Sequence, residues 1–297
     1  MKRSRAHEAL IVDYLRLLKN SLRNTHYRST EGVPLTVGEV RLAEEAVERL
    51  RARFAEGARA GTIPQAEEVL RSLEMFTPEV GAVYARSNER QSYTLLEESS
   101  LDHVESCVRS VLERQVPGDL IECGVWRGGT CIFMRGLLKA LGDNHRKVWV
   151  ADSFQGLPEP DGAVSPLDAV SHEFLKLIGG FSVSLEAVQK NFATFDLLDR
   201  QVRFLPGWFS ETLPKAPIES LALMRLDADY YESTVQALDS LYAKLSPGGF
   251  VIIDDYGILP LGARRAVDEF RSRHAIEAPL FFADRAVAYW EKGAAPE

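Results

Sequence analysis

Six carboxylates fall inside or at the ends of short apolar runs: Glu122, Asp152, Asp227, Asp229, Asp254 and Asp255. Four of them, Asp227, Asp229, Asp254 and Asp255, follow two successive runs, Leu221–Leu226 and Phe250–Ile253. If those runs are neighbouring strands, at least three acids meet near one point. Carboxylates held together repel one another and have raised pKa values unless a cation joins them. A set made only of oxygens favours a hard ion, Mg²⁺ first and Ca²⁺ or Mn²⁺ next. Such an ion could bind a hydroxyl, lower its pKa and orient it. The competing reading is that these acids cap the helices behind them, which Asp does readily. That reading weighs most on Asp255. It weighs less on Asp227, which is flanked by Met224, Leu226 and Ala228.

A second constellation lies upstream. The apolar run Asp119-Leu120-Ile121-Glu122-Cys123 enters a glycine turn at Gly124, Gly128 and Gly129, and the turn opens a helix. Glycines let a ligand approach the backbone, and a helix start offers N–H groups and partial positive charge. The spacing is G-x-x-x-G-G rather than the G-x-G-x-x-G of dinucleotide-binding turns, which disfavours an NAD oxidoreductase. Glu122 sits two residues before the first glycine, and the next apolar run ends in Asp152, placed to take two ribose hydroxyls. The ordered set Glu122, Gly124, Gly128-Gly129 and Asp152 suits a nucleoside bearing a cationic sulfonium and an amino acid tail, S-adenosylmethionine, better than a pyrophosphate. The alternative is a plain strand–helix turn in a protein that binds its ligand elsewhere.

The elements that must position these residues can be read from periodicity. Residues 1–75 form a helical N-terminal extension. Leu10, Ile11, Tyr14, Leu15, Leu18 and Leu22 mark one face of a helix over Ala9–Arg23. Thr36 and Glu39 form a capping box for a helix reaching about Glu56, and a short helix follows from Ile63-Pro64 to Leu73. Residues 76–297 alternate strands and helices. Helices are expected over Tyr93–Leu112, Thr130–Leu141, Ser184–Phe195, Tyr231–Leu245 and Ala263–His274. Strands are expected over Asp119–Gly124, Lys147–Asp152, Val202–Leu205, Leu221–Leu226, Phe250–Ile253, Leu280–Ala283 and Ala286–Trp290. The helix before the fifth strand should stop at Pro247-Gly248-Gly249. The stretch of about 160–183 is too long for a routine connection and reads as a lid or an insertion. This order specifies an α/β fold with a mostly parallel seven-stranded sheet covered by helices on both faces. Ligands in such sheets bind beyond the carboxyl ends of the strands, where the acids and Gly207 fall.

Bulk properties narrow the partners. The 297 residues are 45% apolar and 26% charged, which is an ordinary globular composition. A net charge of −8 disfavours a nucleic-acid partner. No run approaches the roughly 20 apolar residues that span a bilayer, and no signal-peptide core follows the basic start, so a cytoplasmic protein is expected. Cys107, Cys123 and Cys131 lack C-x-x-C spacing and read as small buried residues. Between Met1 and Arg28 lie seven Lys or Arg and two acids. That basic amphipathic helix could touch a membrane or an acidic partner, but is better placed against its own protein or a second subunit, so no membrane partner and a homo-oligomer are expected.

The residues also carry a family likeness. The runs Glu122-Cys123-Gly124-Val125-Trp126-Arg127-Gly128-Gly129, Asp152-Ser153-Phe154-Gln155-Gly156-Leu157-Pro158, Gly207-Trp208-Phe209, Arg225-Leu226-Asp227-Ala228-Asp229-Tyr230-Tyr231-Glu232-Ser233-Thr234 and Gly249-Phe250-Val251-Ile252-Ile253-Asp254-Asp255-Tyr256 resemble the macrocin O-methyltransferase (TylF-type) family. That family includes the mycinamicin and novobiocin sugar O-methyltransferases, and the likeness covers about Met75 to Lys292. The resemblance implies a Rossmann-like class I methyltransferase fold, S-adenosylmethionine as donor, Mg²⁺ as helper and a deoxysugar hydroxyl on a natural product as acceptor. It implies that Glu122, Gly124 and Thr130 line the methionine end of the cofactor and that Asp152 takes the ribose, with Ser153 and Phe154 beside the nucleoside. It places Trp208 and Phe209 near the adenine and Thr94, with Tyr93, in a segment closing over the cofactor. Asp227 becomes both metal ligand and catalytic base, with Asp254 and Asp255 completing the metal site. A catechol- or phenol-type O-methyltransferase and a non-catalytic assembly protein keeping the fold are the alternatives. His103 reads as structural, and His172, in the lid, as a residue that could touch substrate.

Overall fold

The computed structural model describes residues 5–23, 92–177, 181–257 and 262–293, together with 48, 52, 55, 56, 59 and 60. The capping box at Thr36, the helix ending near Leu73 and the domain boundary near residue 75 lie outside the described residues. Helix α1 (Arg5–Leu22) precedes α2 (Glu98–Glu113), β1 (Asp119–Cys123), α3 (Gly129–Ala140), β2 (Val148–Asp152) and α4 (Pro166–Leu177). Then come α5 (Leu185–Thr194), β3 (Val202–Pro206), β4 (Leu221–Leu226), α6 (Tyr231–Leu241), β5 (Leu245–Ile253), α7 (Gly262–Arg273), β6 (Phe281–Phe282) and β7 (Ala288–Glu291). The seven strands form one sheet in the order β3-β2-β1-β4-β5-β7-β6. The first five run parallel, and β7 pairs antiparallel with both β5 and β6. Strand order reverses between β1 and β4, which opens a crevice beyond their carboxyl ends.

Period-two alternation explains the two cores. Leu120, Val148, Val150, Leu223 and Ile252 face one side, where α1, α2, α3 and α5 pack. Ile121, Trp149, Ala151, Met224, Leu226, Val251 and Ile253 face the other, against α6 and α7. Glu122 and Arg225 continue the first face, and they are register partners across β1 and β4. The polar cluster is therefore built on one side of the sheet, at the point where apolar packing ends.

Helix α1 belongs to this packed body. Ile11, Leu15, Leu18 and Leu22 are buried at helical spacing. Lys19, on the same face, bonds Asp102 at 2.5 Å and Glu105 at 2.6 Å on α2. Its last turn is tied down through Tyr93, whose N–H donates to the Leu22 carbonyl at 2.8 Å. Among the described residues no helix is long and apolar enough to cross a membrane.

Three expected boundaries differ. The helix expected from Tyr93 begins at Glu98, because the Tyr93 carbonyl accepts from Gly129 N–H at 3.0 Å and is thereby held away from a helical turn. The helix expected to reach Leu245 ends at Leu241 with a short 3-10 turn. Strand β5 then starts at Leu245 and runs through Pro247-Gly248-Gly249. Those residues form a bulged strand start rather than a stop, since Gly248 N–H donates to the Lys292 carbonyl and Lys292 N–H to that of Gly249.

Candidate active site

The glycine turn is shaped by contacts from distant elements. Gly124 has φ +83°, and a Cβ there would overlap the Asp227 backbone carbonyl. β1 and β4 can therefore converge so closely only with glycine at this position. Gly128 caps α3 at φ +83° with no side-chain cap. The first N–H of that helix, on Gly129, is already taken by Tyr93, and a Cβ on Gly129 would overlap that same carbonyl. Arg127 donates to Ser92 O at 2.9 Å. The Ser92–Thr94 segment is thus laid across the helix start. Replacing Gly129 by Ala is expected to push this segment away and to cost about 1–3 kcal/mol of stability. Denaturant unfolding with and without S-adenosylhomocysteine would show it as a lower midpoint and a smaller ligand-induced stabilisation.

Thr94, Glu122, Gly124, Thr130, Asp152, Asp227, Asp229, Asp254 and Asp255 line one cavity of about 390 Å³. Ser153, Trp208 and Phe209 line a second, of about 380 Å³. Gly124, Asp152 and Asp227 line both, so the two cavities meet at the switch point between β1 and β4. Phe154 is the exception among the expected contacts. Its ring is buried in the core beside Phe204 and lines neither cavity, while its N–H donates to Asp152 Oδ1 at 2.7 Å. Its φ of +56° is what turns the ring inward. Val125 N–H donates to Asp152 Oδ2, also at 2.7 Å. Burial raises the pKa of Asp152, and these backbone donors oppose that rise.

Beneath the cavity lies a cation that the sequence reading left without a role. Arg225 is 1% exposed and its guanidinium pairs with three carboxylates. These are Glu122, Asp227 Oδ2 at 3.0 Å and Asp254 Oδ1 at 2.6 Å. Its signal was present, as the one charged residue within the run Leu221–Leu226. Glu122 accepts from Arg225 on one oxygen and from Cys131 Sγ on the other, at 2.9 Å. Burial pushes up the pKa of Glu122, and Arg225 pulls it back. Burial and Glu122 together push the Cys123 and Cys131 thiols well above their usual value, so both are inert buried residues as expected.

Strands β4 and β5 are parallel neighbours, so the acids at their ends do converge. One oxygen from each of Asp227, Asp254 and Asp255 lies within 4.8 Å of the other two. Asp255 Oδ2 is buried without a hydrogen-bond partner. Burial and the neighbouring carboxylates raise the pKa values of Asp229 and Asp255 well above the usual range. Arg225 pairs with Glu122, Asp227 and Asp254 but with neither Asp229 nor Asp255, so carboxylates are in excess over the guanidinium that binds them. An all-oxygen donor set with that excess and an orphaned buried oxygen fits a hard divalent cation.

His103 and His172 are each held by neighbouring side chains. His103 bonds Cys107 at 3.4 Å and stacks on Tyr289. His172, on α4, is buried between Tyr230 Oη at 3.1 Å and Glu159 at 3.0 Å and lines neither cavity.

Known proteins resemble this chain over much of its length. The family model described as Macrocin-O-methyltransferase (TylF) matches residues 11–292. Demethyldecarbamoylnovobiocin O-methyltransferase of Streptomyces niveus is 47% identical over 68% of this chain and 76% of its own length. The 8-demethyl-8-(2,3-dimethoxy-alpha-L-rhamnosyl)-tetracenomycin-C 4'-O-methyltransferase of Streptomyces olivaceus is 50% identical over 69% of this chain and 77% of its own length. Among solved structures, the O-methyltransferase NovP superposes with a TM-score of 0.65 at 46% identity, covering 68% of this chain and 83% of that one.

Proposed function

The chain belongs to the macrocin O-methyltransferase (TylF) family, and on that premise we propose that it moves the methyl group of S-adenosylmethionine to a hydroxyl of a sugar on a natural product. The observation that best supports this is the meeting of the two cavities at Asp227. One cavity carries the aromatic pair Trp208 and Phe209 suited to a nucleobase, and the other carries the carboxylates suited to an acceptor hydroxyl. The relative from Streptomyces olivaceus is named for methylation of a rhamnosyl-tetracenomycin.

In this reading Asp152 holds the ribose hydroxyls, and Glu122, Gly124 and Thr130 border the methionine portion under the strap that carries Thr94. S-adenosylmethionine supplies an electrophilic methyl on a cationic sulfur, and an acid-lined cavity favours that charge. Asp227, Asp254 and Asp255 would hold Mg²⁺, which supplies Lewis acidity toward a hydroxyl. With the donor bound, Asp227 would take the proton of the acceptor hydroxyl as that oxygen takes the methyl group from sulfur. Positioning of the two reactants contributes much of the acceleration. A second reading sends the proton to Asp229. It is favoured by one contrast: Asp227 is bound to Arg225, whereas among the described residues no hydrogen bond or ion pair engages the Asp229 carboxylate.

Calorimetric titration of S-adenosylmethionine, with and without Mg²⁺, followed by a panel of glycosides and catechols, tests the proposal. Binding of the cofactor with methylation of glycosides is the expected result. Methylation confined to catechols would replace the acceptor class. Absence of cofactor binding in folded protein would sink the methyl-donor reading and leave an assembly role.

A further inference from the structure

Asp168 lies on α4, outside both cavities, and is 1% exposed. Each of its carboxylate oxygens accepts a backbone N–H from the start of a different helix. Tyr231, first residue of α6, donates to Oδ2 at 2.7 Å. Gly262, first residue of α7, donates to Oδ1 at 2.8 Å. No side chain caps α6 from its own N-cap residue, Tyr230. A Cβ at Gly262 would overlap both Asp168 and Tyr231, so the two helix starts touch with the carboxylate wedged between them. A carboxylate is suited to this place because it offers two acceptors and sits at the positive ends of two helix dipoles.

Those helices follow the two acidic loops. Asp227 and Asp229 lie just ahead of α6, and Asp254 and Asp255 lie ahead of α7. The carboxylate of Asp168 therefore fixes the starts of both helices behind the acids. From the next turn of α4, His172 bonds Tyr230, the residue following Asp229. Helix α4 thus grips one acidic loop at two points and the helix behind the other at a third.

We propose that Asp168, with His172, is a positioning residue that couples α4 to the spacing of the Asp227, Asp254 and Asp255 oxygens, and so to their affinity for a divalent cation. This rests on the metal reading given above. Linkage makes the coupling reciprocal: a cation that draws the two loops together also favours the seating of α4 between the two helix starts. Loss of a supporting shell typically weakens a metal site by about 10–100-fold.

The test is direct Mn²⁺ binding, followed by electron paramagnetic resonance, alongside calorimetry of S-adenosylhomocysteine on the same full-length proteins. Asp168→Asn keeps the size but turns an N–H donor toward one of the two N–H groups. It and Asp168→Ala are expected to weaken Mn²⁺ binding about tenfold while leaving S-adenosylhomocysteine affinity unchanged. Wild-type Mn²⁺ affinity in these variants would overturn the proposal. So would a parallel loss of both ligands, which marks general loosening. Should neither variant fold, His172→Phe decides in the same way, through weaker Mn²⁺ binding with intact S-adenosylhomocysteine binding. Wild-type protein that binds no Mn²⁺ would sink the metal reading itself, a result distinct from any difference among the variants.

Discussion

Asp227→Asn should lower kcat by about 10²–10⁴-fold, the usual contribution of a positioned base, with further loss from the damaged cation site. S-adenosylmethionine affinity should stay within a factor of about three, less than 1 kcal/mol. The fold should tolerate the change. The Asp227 N–H is held by the Cys123 carbonyl at 2.9 Å, and Asn keeps one oxygen for Arg225. Single-turnover methylation with calorimetry on the same samples separates the two effects. Retained turnover in Asp227→Asn, joined to its loss in Asp229→Asn, would move the base to Asp229 and leave Asp227 as a ligand alone.

Arg225→Met is expected to have the largest effect on stability. The substitution leaves Glu122 buried with only the Cys131 thiol for company and removes the countercharge of Asp227 and Asp254. Breaking a buried ion pair from one side costs about 3–5 kcal/mol. In a chain of this size that lowers the melting temperature by roughly 6–20 °C. Arg225→Lys should rescue little, since a point charge cannot replace a planar fork reaching three carboxylates. The double variant Arg225→Met with Glu122→Gln should recover part of the loss, because it removes the charge left unpaired in β1. A melting temperature unchanged in Arg225→Met would show that the buried network contributes nothing to the fold.

The sequence made some of this visible for identifiable reasons. β1, β4 and β5 are buried on both faces, so their runs are nearly unbroken and the acids at their ends stand out. The placement of Asp227, Asp254 and Asp255 followed once β4 and β5 proved to be neighbours. Arg225 was just as conspicuous but went unassigned, because its partners lie on other strands and register cannot be read from one strand alone. Asp168 was hidden for the same reason, as both of its donors are backbone groups far along the chain. Phe154 follows Asp152 and Ser153 in sequence, but its ring packs in the core and lines neither cavity. Tyr93 looked helical by periodicity, but its carbonyl is claimed by Gly129. Local pattern located the elements and their acidic ends; long-range backbone hydrogen bonds and buried charge pairing set the rest.

The docking of α1 has a consequence for how the protein is made. The helix is translated well before the partners that bury it, Asp102, Glu105, Phe133 and Gly136. During that interval Ile11, Leu15, Leu18 and Leu22 have no native surface to cover them. Contacts of such long sequence separation form slowly, and exposed apolar faces on a nascent chain are open to aggregation and to chaperones. The Leu22 carbonyl anchors Tyr93, and Tyr93 in turn anchors Gly129, so the final shape of the glycine turn is tied to the docking of this helix. A segment translated early thus waits for segments translated late before its apolar face is covered.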